Sequence, residues 1–195
     1  VRLTRIHLEE DAGALAHANP KSQIPNPKGE DYSLVNFNRA GLPLMELVTE
    51  PDIKSSDQAV EFAKELQLIL RYLGASDADM EKGQMRVEVN VSIKKAGDEK
   101  LGTKVEVKNI NSFKAAHDAI EYEIKRQERL IESGGTVEQE TRGWDEVGGK
   151  TVLQRKKESA HDYRYFPEPD LPPLELTAMR EEARYALPEL PAQKR

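Results

Sequence analysis

The sequence predicts an α+β fold built on a mostly antiparallel sheet with packed helices. Three observations carry this expectation. Apolar residues alternate one by one along 86–94 and 104–110, the period of half-buried strands. They recur at helical spacing after Ser56 and again after Ser112. The elements then follow one another as strands, helix, hairpin, helix, hairpin, without the regular strand–helix alternation of a doubly wound parallel sheet.

Residues 1–8 alternate weakly around Leu3, Ile6 and Leu8 and predict a strand, followed by Glu9-Glu10-Asp11 and Ala12-Gly13. The segment 19–31 is rich in Pro and Asn and predicts a loop. Short strands at 33–37 and 44–49 flank the turn Asn38-Arg39-Ala40-Gly41; Pro43 places the start of the second beyond it, or at a sheet edge. A helix N-capped by Ser56 carries Ala59, Phe62, Ala63, Leu66, Ile69, Leu70 and Leu73 on one stripe, and Gly74 stops it.

Along 86–94, Val87, Val89, Val91 and Ile93 oppose Glu88, Asn90 and Ser92; after the turn 96–100, Val105 and Val107 oppose Glu106 and Lys108. This is a hairpin with one apolar and one acidic face. The echo between Val87-Glu88-Val89-Asn90 and Val105-Glu106-Val107-Lys108-Asn109 has two equal explanations, an internal repeat or the general likeness of valine-rich strands. A second helix spans 112–133, with Phe113, Ala116, Ile120, Ile124, Gln127 and Ile131 in its pattern and Gly134-Gly135 at its end. Strands at 136–141 and 150–155 follow, prolines at 167, 169, 172 and 173 exclude regular structure, and a short helix spans 177–186.

The length, 195 residues, suits one domain with a buried core, or one domain plus a short appendage. The absence of cysteine removes disulfides, thiol nucleophiles and cysteine-ligated zinc, and fits a reducing cytosol. No apolar run approaches the roughly 18 residues of a membrane span, and no signal-type segment opens the chain. The net charge of −6 argues against a broad phosphate-holding face, so contact with RNA is expected through a local patch, or through another domain or protein chain. Val1 lies inside a patterned stretch and 187–195 trails off in prolines and charges, which reads as a piece of a longer protein.

Three constellations carry chemistry. Glu9-Glu10-Asp11 is either a solvated strand-to-loop turn or part of a cation site; Glu88 and Glu106, held on the polar faces of strands, favour the second, because rigid oxygen ligands suit a hard cation. His7 shares the face of Glu9 and is a minor candidate. Arg39, Arg86, Lys108 and Arg164 adjoin these motifs and offer positive charge for phosphoryl transfer, although each taken singly also reads as a surface ion-pair partner. The run His161-Asp162-Tyr163-Arg164-Tyr165-Phe166-Pro167-Glu168-Pro169-Asp170 is equally a base-stacking platform or a packed loop. Neither a P-loop nor a dinucleotide-binding glycine motif is present, so any ATP site is of another kind.

Five motifs in order resemble the GatB family, the B subunits of the bacterial and organellar tRNA-dependent amidotransferase: His7 to Gly13, Asn38 to Asp52, Arg86 to Ser92, Val105 to Phe113 and His161 to Pro173. The resemblance implies a catalytic domain related in fold to glutamine synthetase and guanidino kinases. It implies phosphorylation of the side-chain carboxylate of Glu on tRNA(Gln), or Asp on tRNA(Asn), by ATP with Mg²⁺, then amidation by ammonia from a glutaminase partner. It assigns Glu9, Glu10, Glu88 and Glu106 to metal binding; with the mechanism it implies, Glu9, Glu10, Arg39 and Lys108 are expected in catalysis, and Arg86 and Arg164 at the nucleotide or substrate.

The same resemblance implies two protein partners, the amidase (GatA) and a small third chain (GatC), with misacylated tRNA as substrate and a cytoplasmic location. Residues 1–176 are then expected to be a catalytic domain lacking its N-terminal Gly-Leu-Glu-x-His segment, with 177–195 starting a helical region and independent activity not expected. The rival expectation is a non-catalytic RNA-binding or scaffold domain in which the acids are structural.

Overall fold

The computed structural model describes residues 1–17, 32–156, 172–173 and 175–194. The chain forms two compact units, Val1–Ile53 and Lys54–Arg195. The expected loop at 19–31, the aromatic segment 161–170 and Arg164 within it lie outside the described residues.

In the first unit, β1 (Leu3–Glu10) pairs antiparallel with β4 (Pro43–Thr49), and β2 (Ala14–His17) with β3 (Ser33–Asn36). The strands flanking the 38–41 turn thus pair with earlier strands and not with each other. Pro43 is the first residue of its strand, where the missing N–H costs no ladder bond. Charged pairs stitch the open end of this ribbon: Arg2 donates from its guanidinium to both carboxylate oxygens of Asp52, at 2.7 and 3.1 Å. Arg5 reaches Glu46 at 2.8 Å.

Among the described residues, the buried apolar ones all belong to the second unit. Helix α1 (Ser56–Tyr72) is capped by Ser55, whose hydroxyl accepts the N–H of Gln58. The cap is therefore one residue earlier than the sequence suggests. Ser56 is instead buried and donates to Glu121 at 2.7 Å. Strands β5 (Val87–Val91) and β6 (Val105–Ile110) form the expected hairpin. Helix α2 (Phe113–Glu132) starts at the Ser112 cap and stops at Gly134, which takes a left-handed φ of 83°.

Strands β7 (Glu140–Asp145) and β8 (Lys150–Lys156) complete a sheet in the order β5-β6-β7-β8. The sequence places the first of these at 136–141; it lies four residues further on. Its helix-facing positions are Glu140, Arg142 and Trp144, so the polar-looking alternation that hides it is a buried one. The β6–β7 pair is parallel, because the α2 crossover returns the chain to the same end of the sheet; the other pairs are antiparallel. A third helix, α3, occupies Thr177–Ala186 as expected.

Val105, Val107, Ile110 and Trp144 from the sheet and Ala115, Ala116 and Ala119 from α2 form the core. Three alanines on the contact stripe let the helix lie close to the strands, and Tyr122 meets Trp144 edge-on at 6.2 Å between ring centroids. Glu123, on the sheet-facing side of α2 and fully buried, accepts from Arg126 at 2.6–3.1 Å, from Gln127 at 2.9 Å and from the Thr151 hydroxyl at 3.1 Å. Arg142 donates to Glu140 at 2.7 Å and to Thr151, so charge on this side of the sheet is matched internally.

Candidate active site

The face of the four-stranded sheet turned away from α2 collects the polar residues. Cross-strand neighbours in register share a face, so the pairings Asn90↔Glu106, Glu106↔Thr141 and Thr141↔Arg155 place these four side chains in one row across all four strands. Beside it, Glu88, Lys108 and Gly143 make a second row, since Lys108 pairs with Gly143 and Glu88 lies opposite Lys108. A Cβ at Gly143 would stand 2.4 Å from the amide nitrogen of Gln154, so the missing side chain is the space in which that amide lies.

Lys108 is the hub. Its ammonium lies 3.0 Å from Glu88 and 3.6 Å from Glu106. Burial works to lower its pKa, but the hydrogen bond and charge of Glu88, together with those of Glu106, outweigh burial and hold it above the ordinary lysine value. The Thr141 hydroxyl donates to the second oxygen of Glu106 at 2.8 Å.

The strand pattern explains why these groups meet. Between the pairs Val87↔Ile110 and Val89↔Val107, β5 advances by two residues and β6 by three, so Lys108 and Asn109 together oppose Glu88. Asn109 takes the extra place with a left-handed φ of 60°, and its amide donates to the Trp144 carbonyl at 2.9 Å. This bulge lets Val107 and Ile110 both enter the core while Lys108 stays on the polar face. Asparagine tolerates the left-handed region better than other residues with a Cβ. The break in alternation at Asn109 is the sequence signal for this bulge, and a plain two-residue period passes over it.

In the first unit, Glu9 and Glu10 lie within β1 and not after it, opposite Leu44 and Pro43. Successive strand residues face opposite ways, so the two carboxylates point to different faces of the ribbon. Glu9 lies 3.2 Å from a ring nitrogen of His7, the same-face neighbour anticipated from the sequence. Asp11 binds the 38–41 turn: it is 2.6 Å from the Arg39 guanidinium, and its backbone exchanges bonds with Leu42 and Gly41. The third acid of the triplet is thus a turn latch, with Arg39 as its partner. Arg86 is exposed just ahead of β5.

The structure therefore brings together Glu88, Glu106 and Lys108, and separately His7 with Glu9 and Asp11 with Arg39. Among the described residues, neither unit assembles three or more His, Asp or Glu side chains around a point that suits a metal ion. Asn90 lies on this face as its alternation predicts; Thr141, Gln154 and Arg155 join it although the sequence reading gives none of them a functional role. Only strand register puts these three beside the glutamates.

The family pattern described as the GatB/GatE catalytic domain matches residues 1–182. The chain belongs to the GatB/GatE catalytic domain family. Relatives are named as the B subunit of aspartyl/glutamyl-tRNA(Asn/Gln) amidotransferase. The proteins of Crocosphaera subtropica and Nostoc sp. are 53% and 54% identical over the whole of this chain. That of Persephonella marina is 55% identical. The chain spans 39% of the length of these relatives. Among the described residues, no helix of this GatB/GatE domain is long and apolar enough to cross a membrane.

Proposed function

We propose that this chain is the carboxylate-activating domain of the B subunit of an aspartyl/glutamyl-tRNA amidotransferase. The observation that carries the proposal is the pair of strand-borne carboxylates, Glu88 and Glu106, gathered on one cation on the polar face of a family-matched sheet. Glu-tRNA(Gln) or Asp-tRNA(Asn) supplies the reacting carboxylate, the amidase GatA supplies ammonia, and the small GatC chain completes the complex. On this reading the complex works in the cytoplasm. Residues 1–176 form the catalytic domain, of the glutamine synthetase and guanidino kinase kind, and α3 opens the helical region that follows.

A carboxylate resists amidation because its leaving group would be oxide. Transfer of the γ-phosphoryl group of ATP to one carboxylate oxygen releases ADP and leaves an acyl phosphate, from which ammonia expels phosphate. The donor set on this face fits Mg²⁺: two carboxylates on rigid strands, with hard oxygen atoms, already holding a positive charge between them. Bound there, Mg²⁺ would lower the repulsion between the attacking carboxylate and the triphosphate. Glu106 and Glu88 would hold it; for Glu9 and Glu10, on opposite faces of β1, the family resemblance alone implies metal binding.

Lys108, displaced from the two glutamates, is then able to meet a phosphate oxygen. Arg86, Arg164 and Arg155 offer further positive charge to the nucleotide or substrate, and Arg39 does so only by leaving Asp11. The electrostatic work consists of holding these charges in fixed positions, which strands do better than loops.

In the intact complex, Glu106→Gln or Glu10→Gln should abolish ATP-dependent carboxylate activation while glutamine hydrolysis continues. Wild-type amidation of misacylated tRNA by either variant would refute the assignment of that residue. A scaffold domain would show no divalent-cation site sensitive to Glu106→Gln.

A further inference from the structure

We infer that Thr141 is a positioning residue for Glu106, fixing which of its two carboxylate oxygens is presented to the cation. This inference rests on the reading of Glu106 as a metal ligand and goes beyond it to a residue on another strand. Thr141 is 2% exposed, and its hydroxyl lies 2.8 Å from Glu106 Oε2. An ionised carboxylate has no proton to give, so the hydroxyl is the donor. The bond is charge-assisted and stronger than one between neutral groups.

Its geometry is built into the fold. Glu106 and Thr141 are registered neighbours in the parallel β6–β7 pair. Threonine is stiff about its first side-chain torsion, so the backbone position largely sets where the hydroxyl points. Glutamate, in contrast, has three rotatable bonds and no intrinsic preference for the orientation seen here. The hydroxyl takes Oε2 and leaves Oε1 toward the Lys108 ammonium, 3.6 Å away. Glu106 thus offers one oxygen to a cation while the sheet holds the other. Partners of this kind, one shell out from a metal, typically change affinity or activity about 10–100-fold when removed.

The deciding experiment uses the full-length protein in its complex. Mn²⁺ binding is followed by electron paramagnetic resonance for wild type, Thr141→Val, Thr141→Ser and Glu106→Gln, with thermal unfolding of each alongside. Valine keeps the shape and the β-branch but has no hydroxyl; serine keeps the hydroxyl. The expected result is Mn²⁺ affinity lowered about 10–100-fold by valine and restored by serine, with the valine variant still folded at the temperature of the binding measurement. Wild-type affinity in Thr141→Val beside a weakened Glu106→Gln would overturn the positioning role alone. Equal loss in the serine and valine variants would overturn it too, since the hydroxyl would not be the determinant. Wild-type affinity in Glu106→Gln would instead remove the metal-ligand reading on which the inference stands.

Discussion

The two faces of the four-stranded sheet carry the same kinds of residue and use them oppositely. Against the face that α2 covers, Glu123 of that helix is fully buried and its oxygens are met by Arg126, Gln127 and Thr151. On the far face, Glu88 and Glu106 share one lysine, and the Glu88 side chain is 47% exposed. A carboxylate whose acceptor sites are filled by rigid donors is part of the framework. One that shares a flexible ammonium with a second acid can exchange that cation for another. The difference lies in the partners and not in the residue type.

The largest test of this contrast is Glu123→Ala. It would leave the partly buried Arg126 and Arg142 with less negative charge than they need, and breaking one partner from a buried ion network costs about 3–5 kcal/mol. Chemical denaturation should show a loss of that order. Glu88→Gln, on the exposed face, should change stability by no more than about 1 kcal/mol. If the two variants unfold alike, the faces do not differ as described.

How much of this is readable from the sequence follows from the same contrast. The hairpin and both long helices come from apolar periodicity, which is strong where one face meets a core and the other meets water. Strand β7 is misplaced because its inward positions are Glu140, Arg142 and Trp144, and a buried ion network defeats a hydrophobicity pattern. Glu88, Glu106 and Lys108 are legible as a cluster because alternation puts them on one face of one hairpin. Thr141 and Arg155 are not, since the β6–β7 register is set by a crossover helix that no local pattern encodes. For Glu9 and Glu10 the family resemblance supplies the role, while local structure shows only that adjacent strand residues diverge.

Asn109 joins the two faces and gives a test of intermediate size. Its left-handed backbone admits Ile110 to the core, and its amide holds the Trp144 carbonyl. Asn109→Val places a β-branched residue where a left-handed conformation costs roughly 1–2 kcal/mol, and it leaves that carbonyl without its side-chain donor. Asn109→Gly removes the backbone penalty but still loses the amide. The valine variant should therefore be the less stable of the two by denaturation, and should also lose activation in the complex as Lys108 shifts. Equal stability of the valine and glycine variants would mean that the bulge is not under conformational constraint.

The smallest expected effect concerns Lys108 itself. Its pKa is held up by Glu88 and Glu106 against the pull of burial, so the folded state binds its proton more tightly than the unfolded chain does. The resulting stabilisation is fully present below the ordinary lysine value of about 10.4 and is lost as pH rises through the higher folded value. The Lys108 side chain is 36% exposed, so solvent screening limits the worth of its ion pairs to about 0.2–1 kcal/mol. In buffer free of divalent cations, the stability gap between wild type and Lys108→Met should stay level from neutral pH to about pH 10 and narrow above that value. A gap that closed below the ordinary lysine range would mean that the two glutamates do not hold this ammonium, and the far face would then lack the cation that distinguishes it from the side under α2.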